Sequence, residues 1–309
     1  MTVATFAPRV RALCPPKSRD TYGAGFDRLV DQFGPTALEA VQTVELAELR
    51  DRIRRDVGEA RVRSAELRGR QLRSYDPDAH GHGAAENFVR STRFFFRTAV
   101  RVGLLRASPA ADLAAPDRPP APERPLTESE LAELRRIAGT TGQDPLLDVL
   151  LLDFLRQTAA RREGALNLRR AHLHHGQRAV TLTEKRGSTR TLPLGTALLA
   201  RLDTLSRERG GRLPQDHVFR FRDGTPLTRR RFNSLFDRLD RHSEWSEQLD
   251  VGAHWLRHTT LSDVAAVSGL RVAQDYAGHR PRRSNTIERY TAVDFEDLVA
   301  AYECLFGPQ

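Results

Sequence analysis

Cysteine is scarce in these 309 residues: Cys14 and Cys304 lie near opposite ends and form no C-x-x-C or Cys/His spacing. Neither a disulfide framework nor a zinc site is indicated, and a reducing, cytoplasmic setting is expected. No run approaches the roughly 18 consecutive apolar residues of a membrane span, and the opening MTVATFAPRVRALC has no sustained apolar stretch of the signal-peptide kind. Membrane partners are therefore not expected. His172, His174 and His175 lie close together, with His80 and His82 elsewhere, but no carboxylate or cysteine pattern completes a metal site around them. With no Walker A motif, no internal repeat and no low-complexity tract, the sequence gives no reason to expect a cofactor.

Lysine is scarcer than the charge suggests. Lys and Arg total 49 against 40 Asp and Glu, a formal net charge of +9, yet Lys17 and Lys185 are the only lysines. A basic chain favours a polyanionic partner, because each neutralised phosphate releases condensed counterions. Arginine richness alone is weak support, since a GC-rich coding sequence produces it without a mechanism. Duplex DNA is the first partner to test.

The length suits two domains. The densest proline segment, Pro109 to Pro125 (PAADLAAPDRPPAPERP), forces extended backbone and reads as a linker, leaving domains 1–108 and 126–309. Before it, helical periodicity appears at 19–33, 44–57, 61–74 and 84–105, with a polar loop at 76–83. Phe94, Phe95 and Phe96 cannot share one helix face, so one of them must meet a second surface. After the linker, Thr127 and Glu130 form an S/T-x-x-E capping box that starts a helix. The apolar stretch 145–155 reads as a buried helix, and 179–183 with 189–194 as a β-hairpin around EKRGS. Further helices are expected at 197–207, 228–239, 254–267 and 295–305. The expected fold is mainly α with a small β-sheet: an all-helical first domain followed by an α+β second domain.

Chemistry enters with His254-Trp-Leu-Arg257, where i,i+3 spacing puts an imidazole and a guanidinium on one helix face, able to grip one anion. The H-x-x-R pattern alone decides nothing, because it also occurs at His175/Arg178, His217/Arg220 and His279/Arg282. Its surroundings are more specific: TAAR ending at Arg161 after a buried helix, Lys185 in the hairpin turn, HWLRHTT from His254, AGH ending at His279, and Tyr290 in TIERYT.

This order and spacing resemble the tyrosine recombinase and phage integrase family. TAARREGALNL is similar to its T-G-x-R segment, with Ala159 in the place of the usual glycine and Gly164 where an acidic residue often stands. TEKRGSTRTLPL is similar to its lysine hairpin, HWLRHTT to its H-x-L-R-H-T box, and AGH to its L-G-H motif. The interval from His279 to Tyr290 is slightly longer than the resemblance leads one to expect. The resemblance implies a core-binding first domain and a catalytic second domain. It also implies catalytic roles for Arg161, Lys185, His254, Arg257, His279 and Tyr290, no metal or cofactor, and a homotetramer on two DNA sites. The helix near 294–305 would pack on a neighbouring protomer, and the size suits a Xer-like recombinase without an arm-binding domain.

Two guanidiniums can stabilise the charge growing on the nonbridging oxygens of a five-coordinate phosphorus. A tyrosine with an ordinary pKa of about 10 needs a proton acceptor to act as nucleophile at neutral pH, and His254 is the candidate. Lys185 is the candidate acid for the departing 5′ oxygen. Two other readings stay open. Residues 261–277 can be read as a helix-turn-helix with Gly269 in the turn and Arg271 and Gln274 facing a groove, which would make a DNA-binding regulator without catalysis. A type IB topoisomerase-like enzyme would share the chemistry without a specific site.

Overall fold

The computed structural model describes residues 1–67, 81–117, 124–183, 187–249, 251–278 and 293–308. The chain divides into two compact units, Met1–Ala121 and Pro122–Gln309. Among the described residues, no helix is long and apolar enough to cross a membrane.

The first unit is helical. Helices α1 (Val3–Leu13), α2 (Arg19–Phe33) and α3 (Thr43–Glu66) pack around α4 (His82–Arg101). Because α4 has neighbours on more than one side, the Phe94–Phe96 run is accommodated: Phe95 and Phe96 are fully buried, and Phe94 meets Tyr22 and Phe26. Helix α1 was not foreseen from the sequence, since Pro8 lies inside it. A reciprocal capping box between Thr2 and Thr5 and the burial of Val3, Phe6, Ala7 and Val10 outweigh the lost backbone donor. The helices expected at 44–57 and 61–74 are one helix through Gly58, whose roughly 1 kcal/mol penalty in a helix interior does not break it. The part of the expected second helix beyond residue 67, and most of the loop at 76–83, lie outside the described residues. Ala110 and Leu113, within the proline-rich segment, are buried in this unit's core.

The second unit is helices around one small sheet. Thr127 starts α5 (Glu128–Thr140) with the expected capping box. Next come α6 (Pro145–Thr158), whose apolar positions are buried nearly all round, and a short α7 (Arg162–Leu166). Strands β1 (Leu173–His174), β2 (Ala179–Thr183) and β3 (Thr189–Pro193) form an antiparallel sheet in the order β1-β2-β3. Its register pairs Thr183 with Thr189, so the stretch carrying Lys185 joins two paired strand ends. Helices α8 (Thr196–Glu208), α9 (Arg229–His242), α10 (Glu244–Leu249), α11 (Ala253–Tyr276) and α12 (Phe295–Phe306) complete the unit.

Helix α11 is interrupted at Gly269 (φ 85, ψ 163), the position the sequence offered as a helix-turn-helix turn. The part beyond it ends at Tyr276 and buries Ala273 and Tyr276 in the core, while Leu270 is exposed. Helix α12 packs on α11 and β3 of its own chain, burying Leu298, Ala301 and Tyr302, whereas Phe295 is 37% exposed. Within its own unit Tyr302 reaches two groups: its hydroxyl donates to Gln157 Oε1 at 2.6 Å and accepts from Gly195 N–H at 2.8 Å.

Candidate active site

Helix α6 ends on Ala159, which adopts the left-handed conformation (φ 49, ψ 32). That geometry crowds a Cβ and costs an L-residue about 1 kcal/mol or more, which is the physical reason a glycine suits this position. The turn reverses the chain, so that Arg161 follows as the extended N-cap of α7 (φ −71, ψ 156). Behind it, Gly164 of α7 lies beneath the end of β2: a Cβ there would stand 3.9 Å from the Thr183 carbonyl oxygen. The hairpin arm and the arginine turn are therefore neighbours.

His254 stands exposed in the first turn of α11, and Arg257 follows one turn later, 4% exposed. The threonines of HWLRHTT hold this helix in place. Thr259 Oγ1 accepts from Leu126 N–H at 2.9 Å, and Thr260 Oγ1 donates to the Arg156 carbonyl at 2.6 Å, five residues before Arg161. Arg161, His254 and Arg257 all line one cavity of about 500 Å³, together with Arg162 and, from α9, Asn233, Asp237 and Asp240. The sequence drew attention to none of the α9 residues, whose approach to the arginine turn depends on tertiary packing. Helix α9 is tied to α6 through Asp148, which is fully buried and accepts from both Arg231 (2.5 Å) and Arg238.

Arg257 donates Nη1 to the Ala159 carbonyl and Nη2 to the Ala277 carbonyl at 2.8 Å, so it joins the arginine turn to the end of α11. Cationic groups and a helix N-terminus facing one cavity favour an anion there, because the first-turn N–H groups and the helix dipole add to the guanidinium charge. Lys185, His279 and Tyr290 lie outside the described residues. Their flanks are described: Gly278, just before His279, has φ 70 and rests against Arg190.

Tyr276 and Tyr302 are the other two tyrosines in the sequence of this unit. Tyr276 is fully buried, its hydroxyl donates to the Gln157 carbonyl, and burial pushes its pKa well above the ordinary tyrosine value. Tyr302 is 3% exposed, engaged as above, and also raised by burial. Neither lines the cavity.

Residues 124–297, more than half of the chain, match the phage integrase family. The chain belongs to that family. The tyrosine recombinase XerC of Xanthomonas campestris pv. campestris (strain B100) is 28% identical over 244 residues, covering 77% of this chain and 74% of the relative. Among solved structures, the Tn1549 transposon integrase in complex with transposon right end DNA is similar with a TM-score of 0.67 and 17% identity, over 99% of both chains. A lambda integrase tetramer bound to a Holliday junction gives 0.65 and 14%, over 94% of this chain and 77% of the other. These two likenesses concern the fold. The resemblance read from the motifs and the mainly α architecture with a small sheet are borne out.

Proposed function

We infer that this chain is a site-specific DNA recombinase that cleaves and rejoins DNA through a 3′-phosphotyrosyl intermediate. The observation that carries the reading is the meeting of Arg161 and Arg257, from two separate segments, with His254 on one cavity at the start of α11. The Tyr290 oxygen attacks the scissile phosphorus, and its proton passes to His254. The bond from phosphorus to the 5′ oxygen breaks, and that oxygen takes a proton from Lys185. Arg161 and Arg257 stabilise the charge on the nonbridging oxygens, and His279 supports the phosphate or the departing oxygen. The phosphotyrosyl bond conserves the energy of the broken linkage, so a second strand's 5′ hydroxyl can displace Tyr290 by the reverse path.

Family membership and the XerC relative support this activity over a non-catalytic regulator, and the buried end of α11 weakens the helix-turn-helix alternative. In this account residues 1–108 are the core-binding domain, 109–125 the linker and 126–309 the catalytic domain. Duplex DNA is the substrate, the working assembly is a homotetramer on two sites, and the setting is cytoplasmic. The test incubates wild-type protein and Tyr290→Phe with fragmented host DNA, then denatures, captures and sequences protein-attached DNA. Site-clustered attachment that disappears in Tyr290→Phe is the expected result. Evenly scattered attachment would favour the topoisomerase-like reading, and attachment surviving in the mutant would reassign the nucleophile.

A further inference from the structure

Arg190 is the one buried arginine of the described sheet, 8% exposed on β3 beside the hairpin turn. Strand alternation turns it inward, between the exposed Thr189 and Thr191, where an apolar side chain would be expected. Its Nη2 donates to the Ala159 carbonyl at 3.1 Å and its Nη1 to the Tyr276 carbonyl. The same Ala159 carbonyl accepts from Arg257, whose other nitrogen takes the Ala277 carbonyl, the next one along from Tyr276. The ends of two helices, α6 and α11, are therefore held by two guanidiniums that share the Ala159 carbonyl. The last carbonyls of a helix lack intrahelical donors and carry the negative end of its dipole, which stabilises buried cations there. Gly278 completes the packing, since a Cβ on it would stand 2.9 Å from Arg190 Cδ.

We propose that Arg190 is a positioning residue for strand cleavage. It fixes the Ala159 turn that delivers Arg161, the carbonyl that orients Arg257 and the end of α11 that leads to His279, all from the strand that follows Lys185. It does not line the cavity and acts through the residues that do. The proposal rests on the strand-transfer reading above. Arg190→Lys keeps the charge but replaces a planar fork that spans two carbonyls with a single point donor.

The test uses the full-length protein and a nicked duplex built on the sequence recovered by covalent capture, with single-turnover attachment measured at saturating DNA. Arg190→Lys is expected to slow attachment on the order of 10²-fold, as a small misplacement of reacting groups does. DNA affinity should stay within about fivefold of wild type. A cooperative melt confirms that the variant is folded, and Arg190→Met gives a second comparison that removes the charge. Arg190→Lys is then combined with Arg161→Lys. If Arg190 works by orienting the arginine turn, the double variant loses clearly less than the product of the single losses, because the turn is already impaired. Multiplicative losses, or a loss confined to DNA affinity or melting temperature, would overturn the proposal. If wild-type protein forms no covalent adduct at all, it is the strand-transfer reading that falls.

Discussion

At the scale of single residues, the arginine turn carries the most specific expectations. Arg161→Ala and Arg257→Ala should each lower the rate of covalent attachment to DNA by roughly 10²- to 10³-fold at saturating DNA, the usual effect of removing one charge-stabilising donor. Single-turnover assays check this. Ala159 allows a stability test that does not depend on activity. Replacement by glycine relieves the left-handed strain and loses a buried methyl worth about 0.8 kcal/mol, so the net change should stay within about 1 kcal/mol. Ala159→Val should cost more than about 2 kcal/mol, because a β-branched residue is a genuine outlier at φ 49. Equal urea midpoints for the two variants would contradict this account of the turn. The sequence revealed Arg161 and the His254/Arg257 pair through local motifs, and it identified Ala159 as a departure from the expected glycine. It gave no comparable sign for Arg190 or Asp148. Their significance arises from partners 31 and 86 residues away for Arg190, and 83 and 90 residues away for Asp148.

At the scale of elements, local signals and tertiary fastenings separate cleanly. The capping box at Thr127 was legible because its reciprocal bonds involve residues three apart; Thr127→Ala should destabilise the unit by about 1 kcal/mol. The Arg124 guanidinium, followed by the Thr127 N–H and hydroxyl, holds the Glu130 carboxyl at about 2 against an ordinary 4.5. A depressed pKa means the stabilisation is complete above about pH 4.5 and is lost as pH falls toward about 2. Glu130→Gln should therefore flatten that part of the stability profile, as followed by urea unfolding across pH. The Asp148 cluster joins α6 to α9, the two helices that bring Arg161 and the α9 carboxylates together. Asp148→Asn leaves two partly buried guanidiniums without their anion and should cost about 3 kcal/mol or more. A loss under about 1 kcal/mol would show that the cluster does not hold these helices. The strand pair 179–183 and 189–193 was legible from alternation bounded by turn residues, whereas β1, α7 and α10 are too short for any periodicity to register. Among the H-x-x-R pairs within the described residues, packing singles out His254/Arg257, the pair that its surrounding motif had already marked. Arg178 is a left-handed turn residue, and Arg220 is committed to the Arg209 carbonyl and Asp216, while His254 and Arg257 open on the cavity.

At the scale of the whole molecule, a net charge of +9 and the family's DNA chemistry predict binding that weakens steeply with salt. If six or more phosphates are contacted, affinity for duplex DNA should fall about 10³-fold or more between about 50 and 200 mM salt, measured by fluorescence anisotropy. A nearly flat dependence would contradict phosphate-dominated binding. From the sequence, the proline-rich segment 109–125 was expected to be the linker. The sequence could not anticipate that Ala110 and Leu113 within that segment would be buried in the first unit's core, because isolated apolar residues among prolines carry no period. The central claim is that DNA becomes joined to Tyr290, and peptide mapping tests it most directly. Cleavage after Arg289 releases a peptide from residue 290 to 309 that contains both Tyr290 and Tyr302. Fragmentation of that peptide from a nuclease-trimmed adduct should locate a 3′-linked nucleotide on Tyr290. A nucleotide on Tyr302, on another residue, or linked through its 5′ end would contradict the account.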